Sequence, residues 1–113
     1  MSSDTTIRHY KGDTKLITFK ITEPEEISSA AMDIAVDITG STFKIFMKSL
    51  NTGEIAELVG IGDVDNRQVA WAVPSATPIG MYRTVIEETK LDGTKVRYPR
   101  HPLRPLSVRV IDL

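Results

Sequence analysis

Few residues of this 113-residue chain have the types and spacing that chemistry needs. His9 and His101 are its only imidazoles, and a histidine base works beside a serine, cysteine or threonine nucleophile with a third group holding it. Neither histidine carries such a motif, and both read more simply as solvated side chains. Asp63 and Asp65 are spaced to face one side of an extended segment, as are Asp33 and Asp37, an arrangement that paired carboxylates use for acid/base work. Turns also concentrate aspartate for local reasons, and Asp63-Val64-Asp65-Asn66 reads first as a β-turn. The same run opens like a calcium loop but lacks the glycine and the distal glutamate of a complete one.

The absence of cysteine removes disulfides, thiolate metal sites and a thiol nucleophile together. Gly60-Ile61-Gly62 has neither the third glycine nor the following helix of a phosphate-binding loop. The expectation is a protein that is not an enzyme, with no catalytic residue, metal site or cofactor.

One cluster suggests contact instead of catalysis. Arg97, Tyr98, Arg100, His101 and Arg104 surround three closely spaced prolines, with Arg109 beyond them, and form the candidate interface. Arginines beside a tyrosine could grip phosphates or stack a base. The simpler reading is a charged, proline-protected edge or loop, since proline cannot donate to a ladder. A net charge of −1 gives no chain-wide attraction to nucleic acid, and no apolar stretch approaches the length of a membrane span. Residues 1–6 show no basic segment leading into an apolar run, so the chain reads as made and kept in a cytoplasm.

The elements that position these residues follow from a period of two. Ile17, Phe19 and Ile21 alternate with Thr18 and Lys20, and Phe43, Ile45 and Met47 with Thr42, Lys44 and Lys48, while Phe46 breaks the pattern on the outer face. Val69, Trp71 and Val73 mark another strand, with Trp71 expected in the core. Tyr82, Thr84 and Ile86, or the offset Met81 and Val85, mark the next, and Leu106, Val108 and Val110 fall near the last. Ile55 to Ile61 reads as a less regular strand. Asn51-Thr52-Gly53, Asp63 to Asn66 and Asp92-Gly93 supply turns, the last being the clearest hairpin signal. Pro24 to Ala31 could hold one short helical turn, and Met32, Ile34, Val36 and Ile38 then alternate toward Gly40. The spacing of strands and turns predicts an all-β fold, an antiparallel β-sandwich of about seven or eight strands. One domain over residues 1–113 is expected, with residues 1–6 as a flexible arm.

Several pieces in order carry a resemblance: Lys11-Gly12-Asp13-Thr14 before Ile17 to Ile21, Asp37-Ile38-Thr39-Gly40 before Phe43, Gly80-Met81-Tyr82, and Asp92-Gly93-Thr94 followed by Tyr98-Pro99. This order resembles the immunoglobulin-like N-terminal domain of phage baseplate upper proteins and related small tail proteins. The resemblance implies an immunoglobulin-like sandwich in which Tyr82 packs inward with its hydroxyl satisfied nearby, as in a tyrosine corner. It implies a virion structural protein of tail or baseplate type, made in the host cytoplasm. Such a protein would bind other virion proteins as a stand-alone adaptor and form a homo-oligomer or a ring within a particle. A head decoration protein and a carbohydrate-binding sandwich for host adhesion are the alternatives.

Overall fold

The computed structural model describes residues 5–24, 33–100 and 105–112. Within them lie ten strands: β1 (Thr5–Tyr10), β2 (Ile17–Lys20), β3 (Thr22–Pro24), β4 (Asp33–Ala35), β5 (Thr42–Ser49), β6 (Ile55–Asp63), β7 (Gln68–Trp71), β8 (Gly80–Thr89), β9 (Lys95–Tyr98) and β10 (Leu106–Ile111). No helix occurs among the described residues. The helical turn expected near Pro24 to Ala31 falls largely outside them, and its one described residue, Pro24, ends β3.

Alternation sets the inward face of each strand. On β5, Phe43, Ile45 and Met47 are buried while Thr42, Lys44 and Lys48 are exposed. On β8 the Tyr82, Thr84, Ile86 phase points inward, and Met81 and Val85 lie half-buried on the other side. Trp71 and Val69 on β7 are wholly buried, and Ile17 and Ile21 bury against them around β2.

Strands run in the order β1-β10-β8-β5-β6-β7-β2, and β9 pairs with β8 beside β10. β9 covers Ile86 to Thr89 and β10 covers Gly80 to Thr84 along one edge of β8, so they are two halves of a strand broken by the proline segment. The peptide bond from Tyr98 to Pro99 in that break is cis. One ladder departs from the antiparallel expectation: β1 runs parallel to β10, with Thr5 opposite Leu106 and Tyr10 opposite Ile111. Thr5 and Thr6 therefore belong to a strand and not to a flexible arm.

A single strand joins the two layers. β6 pairs with β5 from Ile55 to Gly60 and with β7 from Ile61 to Asp63. At this corner the layers come close. A Cβ on Gly60 would lie 2.7 Å from Val69 Cγ2 and 2.9 Å from Phe43 Cβ, so only glycine fits. Folding at β6 brings Ile17, Val69 and Trp71 of one layer onto Phe43, Ile45, Ile86, Leu106 and Val108 of the other. This is an all-β, immunoglobulin-like sandwich, closed nearly to a barrel, with a small β3–β4 hairpin beside it.

Tyr82 builds a tyrosine corner: its ring is buried and its hydroxyl donates to the Pro78 carbonyl at 2.6 Å. Burial, with the Glu54 carboxyl nearby, raises this phenol above its ordinary range. The hairpin at Asp92-Gly93 forms as expected, Gly93 taking φ +88° and Lys90 N–H bonding to Thr94 O at 2.8 Å.

Aspartates close three turns. Asp63 accepts from the side chain and the backbone of Asn66, at 2.8 and 3.2 Å, Asp37 from the hydroxyl and backbone of Thr39, and Asp92 from Thr94 N–H. These bonds hold all three carboxyls below the ordinary aspartate range.

Gly60→Ala is expected to destabilise the fold by about 1–3 kcal/mol, read as a lower urea midpoint with unchanged slope. The turn aspartates have lower pKa values folded than unfolded, so the stability they add is complete at neutral pH. It is lost as the pH falls through about 4 and below. A variant carrying Asp37→Asn, Asp63→Asn and Asp92→Asn keeps an acceptor oxygen at each turn. Its melting temperature is expected to depend less on acid pH than that of the unsubstituted chain.

Candidate interaction surface

The outward faces of β5, β6, β8 and β9 form one continuous surface whose register sets the neighbours. Lys44 lies between Val59 and Glu87, Phe46 between Glu57 and Val85, and Lys48 between Ile55 and Arg83. Glu87 stands opposite Arg97 on β9. Phe46, Ile55 and Val85 floor a shallow trough of about 390 Å³, with Lys48, Arg83 and Arg97 at its rim. Beyond it the outward side of β6 continues apolar: Ile55, Val59 and Ile61 are 62%, 79% and 61% exposed. Half-buried aromatics and exposed branched residues on one face mark contact surfaces in soluble proteins.

The charges on this face divide into paired and unpaired. Lys44 meets Glu57 at 3.1 Å, and Glu87 holds Arg97 at 3.3 Å and Lys95 at 3.9 Å. Lys48 and Arg83 have no ion-pair partner among the described residues.

The expected interface cluster is divided by the fold. Arg97 is exposed at the trough rim and Arg100 is exposed beyond the cis bond. Tyr98, in contrast, is 2% exposed and points into the core, because inward and outward residues alternate along β9. Its hydroxyl donates to Glu88 Oε1 at 2.8 Å, so its ring offers no stacking platform. His101 and Arg104 lie outside the described residues. Arg109 faces out beside Arg8 and opposite Met81. Arg97 is opposite Glu87, six residues along β8, which places the two arginines about 20 Å apart.

The residues considered for catalysis have structural placements. His9 is 5% exposed on the inner side of β1 opposite Val110, and so is not solvated; its Nε2 has no hydrogen-bond partner among the described residues. Asp63 and Asp37 are engaged in their turns, and the side chain of Asp33 lies outside the described residues. No group of three or more metal-ligating side chains gathers among the described residues.

A buried polar cluster lies outside the expected sites. Glu88 is fully buried and accepts from Ser41 Oγ at 2.5 Å as well as from Tyr98. Its signal was present, because Glu88 continues the inward phase of Tyr82, Thr84 and Ile86. The cluster ties β9 and the lead into β5 to the end of β8.

No family model and no curated protein matches this chain.

Tyr98→Phe is expected to leave one Glu88 oxygen without its donor and to cost about 1–3 kcal/mol. Denaturant unfolding of this variant measures the loss, and an unchanged midpoint would show the bond to be dispensable.

Proposed function

We propose that this chain is a virion structural protein of phage tail or baseplate type, an immunoglobulin-like module that works by docking on other virion proteins. The ordered motifs from Lys11-Gly12-Asp13-Thr14 to Asp92-Gly93-Thr94 support the virion setting by resemblance. The single observation that carries the docking role is the trough of Phe46, Ile55 and Val85 with its basic rim.

The chemistry of that surface selects its occupant. An apolar floor takes an apolar side chain, and the half-buried Phe46 is the aromatic anchor around which such contacts concentrate. Lys48 and Arg83 have no ion-pair partner among the described residues and sit at the floor's border, so the fitting segment carries carboxylates flanking its apolar residue.

Mass spectrometry of purified particles of the encoding phage is expected to find this chain, and its absence would overturn the virion role. Phe46→Asp and Arg83→Glu change outward side chains, so both variants are expected to unfold near the temperature of the unsubstituted chain. Each is expected to cut incorporation into particles by about tenfold or more, as loss of an interface anchor does. Undiminished incorporation would refute docking through this face.

A further inference from the structure

Both ends of the main strand order, β1 and β2, are unpaired edges among the described residues. The backbone bonding shows which groups each edge leaves free. Thr5 N–H donates to Pro105 O at 3.2 Å and Lys11 N–H to Ile111 O at 2.8 Å. In a parallel ladder alternate residues bond to one neighbour, so the odd-numbered residues of β1 face β10. The N–H and C=O groups of Thr6 and Arg8 point the other way. On β2, Ile21 N–H bonds to Arg67 O at 2.9 Å in continuation of the register that sets Ile17 opposite Trp71. Ile17 and Phe19 thus bond toward β7, and Thr18 turns its backbone groups to the open side.

These edges border one hollow. About 250 Å³ lies between Ile7, Arg8 and His9 of β1 and Ile17 and Thr18 of β2. Following the ladders around the sheet gives β1 and β2 opposite directions. A second observation falls at the same place: His9 lines the hollow, is 5% exposed, and has a buried Nε2 with no partner among the described residues. A buried polar atom left unpaired is unfavourable, and Nε2 has almost no accessible surface as the ring stands, so a hydroxyl satisfies it through a turn of the ring toward the hollow.

We propose that this hollow captures one extended segment of another protein, which adds as a strand between β1 and β2 and sets a serine or threonine hydroxyl on His9 Nε2. Free N–H and C=O groups on both walls suit a peptide backbone, the chemistry by which exposed sheet edges recruit strands. One segment serves both walls, running parallel to one and antiparallel to the other. Asp13 and Lys15 also line the hollow and offer both signs, so backbone and hydroxyl contacts select the occupant and net charge does not. A second copy pairing its own β1 edge would leave β2 open. The site is separate from the trough on the outer face and stands independently of the virion role.

The probe is a capped hexapeptide of five threonines with a terminal lysine, which offers a hydroxyl in either register. It is titrated to about 1 mM into the isotope-labelled full chain and followed by NMR. Expected are saturable shifts at the Arg8 and Thr18 amides and at the His9 ring, with exchange of those amides slowed about tenfold or more. Arg8→Pro removes an outward N–H and spares the ladder to β10, so it keeps the fold and weakens peptide binding about tenfold or more. Thr18→Pro applies the same test from the other wall should Arg8→Pro unfold. Phe46→Asp is expected to bind the peptide as the unsubstituted chain does. No saturable shift, shifts confined to the trough, or undiminished binding by the folded proline variants would each overturn the proposal. So would a concentration-dependent dimer that protects the Thr6 and Arg8 amides without peptide.

Discussion

The close approach of the two layers at Gly60 is the constraint on which the rest of the structure depends. β6 serves β5 with its first half and β7 with its second, so one strand must turn from one layer into the other. Any Cβ at Gly60 would drive Val69 away from Phe43 at the point where the layers begin to face each other. With that corner closed, Trp71 and Ile17 reach Ile86 and Val108 across the core. With it opened, the same strands would form a flatter sheet whose apolar face had nothing to bury against.

Inside this core the polar groups are few and differ in how well they are met. Glu88 has a hydroxyl donor on each carboxyl oxygen, from Ser41 and Tyr98, and so ties β9 and the lead into β5 to the end of β8. Tyr82 reaches back to Pro78 at the other end of β8. His9 Nε2 and Trp71 Nε1 are buried without partners among the described residues. Trp71 lies deep among apolar residues, whereas His9 borders the open side between two strand edges. The same kind of unmet group is therefore a packing cost in one place and a contact point in the other.

The surface repeats this division between faces and edges. Sheet faces present side chains, and on β5, β6 and β8 they present Phe46, Ile55 and Val85 within a basic rim. Sheet edges present backbone, and at β1 and β2 they present N–H and C=O groups. Side chains can select a partner by shape and charge, while backbone edges recognise extended chain of many sequences. A small module with both kinds of surface can contact two neighbours at once, which suits a repeating assembly.

The period of two, the turn residues and the apolar content of the sequence by themselves determined the strands β2, β5, β6, β7, β8 and β10, the hairpin at Asp92-Gly93, the core placement of Trp71 and the all-β class. Each of these depends on residues near one another in sequence, where alternation and turn chemistry act directly. The tyrosine corner at Tyr82 was legible through resemblance. Tertiary structure alone decided that β1 runs parallel to β10, that Tyr98 turns inward to Glu88, and that Arg97 and Arg109 stand far apart. It also decided that Ile55, Val59 and Ile61 stay exposed around a trough and that His9 is buried beside an open edge. Those outcomes depend on which distant strand becomes a neighbour, and pairing across the sheet is set by how the whole core closes at Gly60, which no local pattern encodes.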